Sequence, residues 1–152
     1  ALCKAHGVPV LLHALPGRND TVRLGISALL AQHPELTGCM FLPGDQPLLR
    51  RATVDQLLTA FAQTQKETER VIFRLGALAG NGPDPLVGSP VLFSNGFFPE
   101  LLTLPEGKGG SVLLHKYPTL VHTACIAQPE ELADTDTPAA LAQLEALVRE
   151  KG

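Results

Sequence analysis

Tryptophan is absent and tyrosine occurs once among the 152 residues, so few aromatic platforms exist on which bases or sugars could stack. Neither charge sign dominates. Twelve Lys and Arg face 15 Asp and Glu, a formal net charge of −3, which argues against a nucleic-acid binder built on a basic patch. No apolar run approaches the ~20 residues of a bilayer span, and no charged-then-apolar signal segment opens the chain. Cys3, Cys39 and Cys125 are widely spaced and form no CxxC pair, which excludes a zinc knuckle or a redox dithiol. They are expected to be buried small hydrophobes in a reducing, cytoplasmic setting. His6, His13, His33, His115 and His122 form no HxxxH or HxH pair and read as core or surface residues. Neither a GxSxG elbow nor a GxxxxGK[ST] phosphate loop is present.

What is present is a globular composition, with 45% hydrophobic and 18% charged residues. The length fits one domain, and a chain of this size hides ~70% of its unfolded surface. Glycine (14) and proline (13) together exceed their usual ~12% share and sit between apolar segments, which predicts many short elements joined by functional loops. Val8–Leu15 reads as a buried strand closed by Pro16-Gly17. A helix follows from Arg18 to Pro34, with Val22, Ile26, Leu29 and Leu30 on one face and Asp20 or Thr21 as its cap. Cys39–Leu42 reads as a second buried strand. Thr53–Gln65 reads as a helix capped by Thr53, with Val54, Leu57, Leu58 and Phe61 inward. Val71–Phe73 is a third strand, and 76–88 a loop rich in Gly and Pro. Pro90–Phe93 is expected to be a short or edge strand, because Pro90 cannot donate to a ladder. A helical turn at 97–102, a flexible loop at 107–110, a short helix at 111–115 and a strand at 120–124 complete the middle. Pro138–Lys151 is the clearest helix, capped by Thr137, with Leu141, Leu144, Leu147 and Val148 as its apolar stripe. Alternating strands and helices predict an α/β fold with a mainly parallel sheet. Ligands collect at the carboxyl ends of such strands, where the loops at Pro16, Pro43, Gly88 and Ala133 would cluster.

Asp45 directly follows an apolar strand and is stiffened by Pro43 and Pro47, whose φ angles are fixed. A carboxylate so placed can hold Mg²⁺, which takes one or two carboxylates plus phosphate oxygens; it can equally cap a turn. Asp134 and Asp136 precede the last helix and either cap it or join Asp45. Of the two, Asp136 is read as the better metal candidate and Asp134 as the better structural one. The backbone of Gly17-Arg-Asn-Asp-Thr21 can receive an anion or the edge of a base. Gly107-Lys-Gly-Gly110 sets a cation among glycines, suited to phosphate or an acidic pterin-like group, or is a mobile turn.

Four elements resemble, in order, those of the molybdenum cofactor nucleotidyltransferases. Leu42-Pro-Gly-Asp-Gln-Pro-Leu-Leu49 resembles their LPGDQPLL element, and Gly88-Ser-Pro-Val-Leu-Phe93 their GxPVLF element. Leu104-Pro-Glu-Gly-Lys-Gly-Gly110 resembles their L-x-GDKGG loop, and Asp134-Thr-Asp-Thr-Pro138 their DIDTP element. The run from Arg18 to Ile26 is similar to the R-x-x-S-V-x-x-G-L stretch that contacts the base in cytidylyltransferases, with Thr21 in the Ser place. The nearest subgroup is the molybdenum cofactor cytidylyltransferase-like proteins.

The resemblance implies a Rossmann-like, three-layer nucleotide-diphospho-sugar transferase (GT-A-like) fold. It implies transfer of CMP from CTP to a phosphate of the molybdopterin cofactor. It assigns Asp45 and Asp136 to catalysis and to Mg²⁺, and Gly17, Arg18, Asp20, Thr21, Gly25, Pro43 and Gly44 to the nucleotide. Gly88, Ser89, Pro90, Lys108, Gly109 and Gly110 fall to the acceptor. A molybdenum enzyme is an expected partner, and pairing between chains is compatible with the fold.

The family opens on a strand and a GxSxRMGxxK loop that cradles the triphosphate. This chain contains no such segment, so it is expected to be an N-terminally truncated form, inactive or weak by itself. In the family's third loop Glu106-Gly107 stands where Gly-Asp is usual, and Ser89 replaces a common Asn. The competing readings are a non-catalytic module that holds the cofactor during insertion into a molybdenum enzyme, and a guanylyl or sugar-nucleotide transferase of the same fold.

Overall fold

The computed structural model describes residues 2–78 and 85–151. Its sheet has four strands in the order β1-β3-β2-β4, comprising β1 (Gly38–Phe41), β2 (Ile72–Ala77), β3 (Leu86–Ser94) and β4 (Val121–Ile126). β2 and β4 pair in parallel, whereas β3 lies antiparallel between β1 and β2. Three of the four strands therefore point the same way, as expected of a mainly parallel α/β sheet, and the reversed β3 between β1 and β2 makes both of its ladders antiparallel.

Side-chain alternation along the central strands builds a core on each face. Ile72 and Phe93, opposite each other in register, join Ile26, Phe97, Phe98, Leu101 and Leu113 on one side. That layer includes α2 (Arg18–Gln32), α4 (Phe98–Leu102) and α5 (Ser111–Lys116). Phe73, Leu75 and Leu92 face the other side against Leu57 and Phe61 of α3 (Arg51–Thr64). A four-residue helix, α1 (Leu2–Ala5), and α6 (Pro138–Lys151) stand at the chain's two ends. Among the described residues no helix is long and apolar enough to cross a membrane.

Several elements differ from the sequence reading. Val8–Leu15 is exposed and unpaired rather than a buried strand; Leu12 is 88% exposed and Val10 58%. No neighbouring strand supplies it with a ladder, and an apolar run without partners for its backbone groups is not a strand. The expected loop at 76–88 contains the end of β2 and the start of β3, and its residues 79–84 lie outside the described residues. β3 is a central strand and not an edge. Its Pro90 is tolerated because the β2 ladder slips there: Arg74 pairs Val91 and Leu75 pairs Gly88, so Ser89 and Pro90 oppose nothing, the bulge position proline accepts.

Helix faces are narrower than the periodicity suggests. Leu29, Leu58, Leu141, Leu147 and Val148 are exposed, and α6 buries Leu144. Cys3 and Cys125 are exposed and Cys39 is half-buried, with its thiol pushed up by burial. All three are free thiols.

Candidate active site

The C-terminal ends of β1, β2 and β4 and the N-terminal end of antiparallel β3 converge on one sheet edge. β1 runs out into the Leu42–Leu49 loop. β4 runs into a 3₁₀ turn, Pro129–Leu132, and on to Asp134–Asp136. These two loops are tied together although ninety residues separate them. The Thr135 amide donates to the Asp45 carbonyl oxygen at 3.0 Å and the Thr135 hydroxyl to the same oxygen at 3.2 Å. The Gln46 amide group donates to the Leu132 carbonyl at 3.2 Å.

This clamp sets Asp136, the residue after Thr135, beside Asp45. The contact with Asp45 holds the Asp136 carboxyl above its ordinary value, the charge of Asp134 adds to the effect, and Arg18 opposes it. Of the two candidates before α6, Asp136 is thus the one that meets Asp45, while Asp134 acts through charge alone. Thr137 caps α6, its hydroxyl accepting from the Ala140 amide at 3.1 Å.

Arg18 reaches the same place from the first turn of α2. The N-cap of that helix is Gly17, and Asp20 serves it from the third position, accepting from the Gly17 amide at 3.3 Å and from Arg23 at 2.8 Å. The Arg23 guanidinium holds the Asp20 carboxyl below its ordinary value. Thr21 contacts the His13 ring at 3.1 Å.

The 104–110 loop closes on α2. The Gly107 amide donates to Asn19 Oδ1 at 3.2 Å, and a side chain at Gly109 would lie 4.0 Å from Arg18 Cβ. Gly107 has φ +69°, a conformation that strains any residue with a Cβ. Lys108 is exposed at the tip. Gly110 packs on the Phe93 ring and, with Ser89, lines a cavity of about 200 Å³ whose floor is Phe41, Val91, Phe93 and Leu114. Gly88 sits beside Leu132, with Pro90 buried two residues on. Pro43 and Gly44 lie in the Asp45 loop. Gly25 is the outlier: seven residues along α2 from Arg18, roughly 10 Å of helical rise, it has open space around it.

Sequence reasoning passed over Glu131, Thr135, Gln46 and Asn19, which do the tying. It also assigned Thr53 to cap α3. The N-cap lies one turn earlier, at Arg50, and the Thr53 hydroxyl donates to Glu131 at 2.5 Å instead. Nothing local signals such a pair, 78 residues apart.

Among the described residues no group of three or more His, Cys, Asp or Glu side chains forms a ready-made cation cage. Two like-charged carboxyls forced together are nevertheless a suitable half-site. A divalent ion relieves their repulsion, and Mg²⁺ commonly takes its remaining ligands from water and phosphate.

Three-layer packing with paired acidic loops at one sheet edge defines the class as nucleotidyltransferase-like. The chain belongs to the MobA-like NTP transferase domain family, whose model matches residues 1–125. Asp136 lies outside that match and joins the Asp45 loop through the fold. The chain is similar to Rv0371c from Mycobacterium tuberculosis H37Rv, at 25% identity and a TM-score of 0.70, over 91% of this chain and 64% of that one. It is also similar to the manganese complex of that protein, at 26% identity and a TM-score of 0.61, over 81% and 58%. The fold is shared by the Rv0371c homologue of Mycobacterium sp. strain JC1, at 23% identity and a TM-score of 0.66, over 92% and 63%. The bifunctional protein GlmU of Thermobifida fusca (strain YX) is 45% identical over 56 residues, 36% of this chain and 12% of GlmU. The chain thus spans about three-fifths of the length of those structures.

Proposed function

We propose that residues 1–152 form one nucleotidyltransferase domain that transfers CMP from CTP to a terminal phosphate of a molybdopterin-type cofactor, with Mg²⁺ held by Asp45 and Asp136. The observation that carries this reading is the tie at Thr135 that holds the Asp45 and Asp136 loops, far apart in sequence, against each other. Support comes from the family and from the manganese complex of the Mycobacterium tuberculosis relative.

A divalent cation there supplies charge neutralisation at the phosphates of the nucleotide. The remaining chemistry is positioning, which carries most of phosphoryl and nucleotidyl transfer. Asp45 and Asp136 would hold that cation. Arg18 and the backbone amides of 17–21 hold the nucleotide. The 107–110 glycines let the acceptor phosphate approach the backbone while Lys108 offers a cation. The cavity beside Ser89 and Gly110 receives the apolar part of the acceptor.

Thermal shifts with Mg²⁺ and each of CTP, GTP, ATP and UTP test the base, and transfer of label from α-labelled CTP to molybdopterin tests the reaction. CTP is expected to stabilise most, and Asp45→Ala to abolish both signals. Equal transfer by wild type and Asp45→Ala overturns the role of Asp45. A larger shift with GTP moves the assignment to a guanylyl transferase.

A further inference from the structure

Glu131 is a carboxylate with no part in the chemistry above, yet it is 1% exposed and fully engaged. Its Oε1 accepts from Arg50 Nε at 2.8 Å and Nη2 at 2.5 Å, and its Oε2 from the Arg50 amide at 3.1 Å and the Thr53 hydroxyl at 2.5 Å. Arg50 ends the loop that carries Asp45, and Glu131 begins the one that carries Asp136. The two loops are thereby joined at three levels: Asp45 to Thr135, Gln46 to Leu132, and Arg50 with Thr53 to Glu131.

We propose that Glu131 is a positioning residue for the paired carboxyls: it locks the far end of this ladder, so that Asp45 and Asp136 stay face to face against their own repulsion before a cation arrives. The inference rests on the metal role of Asp45 and Asp136 and extends it. Left free, two loops carrying like charges would separate, and a cation would have to draw them together again, losing affinity to the ordering this requires. Four donors on one buried carboxylate form a strong, directional anchor. A second acidic hub, Glu100 with Arg70, Lys116 and Tyr117, touches neither carboxylate loop and serves as the internal comparison.

The test titrates the full 152-residue chain with Mn²⁺, following the free ion by electron paramagnetic resonance. Wild type is set against Glu131→Gln, Gln46→Ala and Asp45→Asn, with thermal unfolding recorded for each. Amide exchange at Thr135 is measured in parallel. Glu131→Gln is expected to weaken Mn²⁺ binding about tenfold or more, the range for groups that orient metal ligands, and to speed Thr135 exchange. Gln46→Ala, which removes a half-buried middle rung, is expected to weaken binding by a smaller factor. A folded Glu131→Gln protein with wild-type Mn²⁺ affinity overturns the proposal. If that variant does not fold, wild-type affinity in Gln46→Ala overturns it. Wild type that takes up no Mn²⁺, or Asp45→Asn that takes up as much, overturns the metal reading and the positioning role with it.

Discussion

At neutral pH the Asp45 and Asp136 carboxylates repel one another across the gap between their loops, and this repulsion has a measurable sign. The folded chain holds the Asp136 carboxyl above its ordinary 3.8, because Asp45 and Asp134 face it and Arg18 compensates only in part. A raised folded value means that stability is fully present below about 3.8 and is lost as pH rises through the folded value. Asp136→Asn, which cannot ionise, is therefore expected to melt higher than wild type at pH 7 in the absence of divalent cations. Near pH 3 the two should converge. Melting curves from pH 3 to 7 check this, and a wild-type advantage at neutral pH contradicts it. Glu131 behaves in the opposite way. Burial raises it, but the Arg50 guanidinium and amide and the Thr53 hydroxyl outweigh burial and hold it low. One carboxylate is stabilised by donors while its neighbours in the loop are left facing each other.

Among the elements, β1 is short but closely fitted. A Cβ at Gly38 would come within 2.6 Å of Phe61 Cζ and 3.1 Å of the Phe93 carbonyl, so β1 must carry glycine there to lie flat against α3 and β3. Gly38→Ala is expected to cost about 1–3 kcal/mol, as overpacking does, read as a lower urea midpoint at unchanged slope. Because β1 runs directly into the Asp45 loop, the variant should also weaken Mn²⁺ binding. The 8–15 segment lies at the other extreme. Its apolar residues are exposed and none of residues 9–16 joins a ladder. Its amides should exchange with solvent far faster than those of β2 and β3, a contrast that hydrogen exchange by peptide mass reads directly. The helices were legible because their 3.6-residue spacing and their prolines are local signals. Val8–Leu15 was misread because strand formation depends on a partner elsewhere, and β3 was underestimated because a bulge that shelters Pro90 is a property of two strands.

For the whole molecule, a bound cation should join the two loops to the fold and raise its stability by mass action. At 100 times the dissociation constant, Mn²⁺ contributes about 2.7 kcal/mol. For a chain of this length that is a rise of roughly 5–10 °C in melting temperature. A chelator should reverse the shift, and Asp45→Asn should show none. Between the two cores, the sheet fixes where β1 and β4 end, and so fixes how far apart the two acidic loops begin. The ladder from Thr135 to Glu131 closes the remaining distance.

Asp45, Asp136, Arg18 and the 107–110 glycines stood out as candidates from the chain alone, because each lies in a short motif of neighbouring residues. The α/β class was visible for the same reason, through local periodicity and turn residues. The antiparallel course and central place of β3, the tie between the Asp45 and Asp136 loops and the engagement of Glu131 were decided by the tertiary structure. Each of these depends on contacts between groups up to ninety positions apart, and a carboxylate's partners at that range are set by where the strands end.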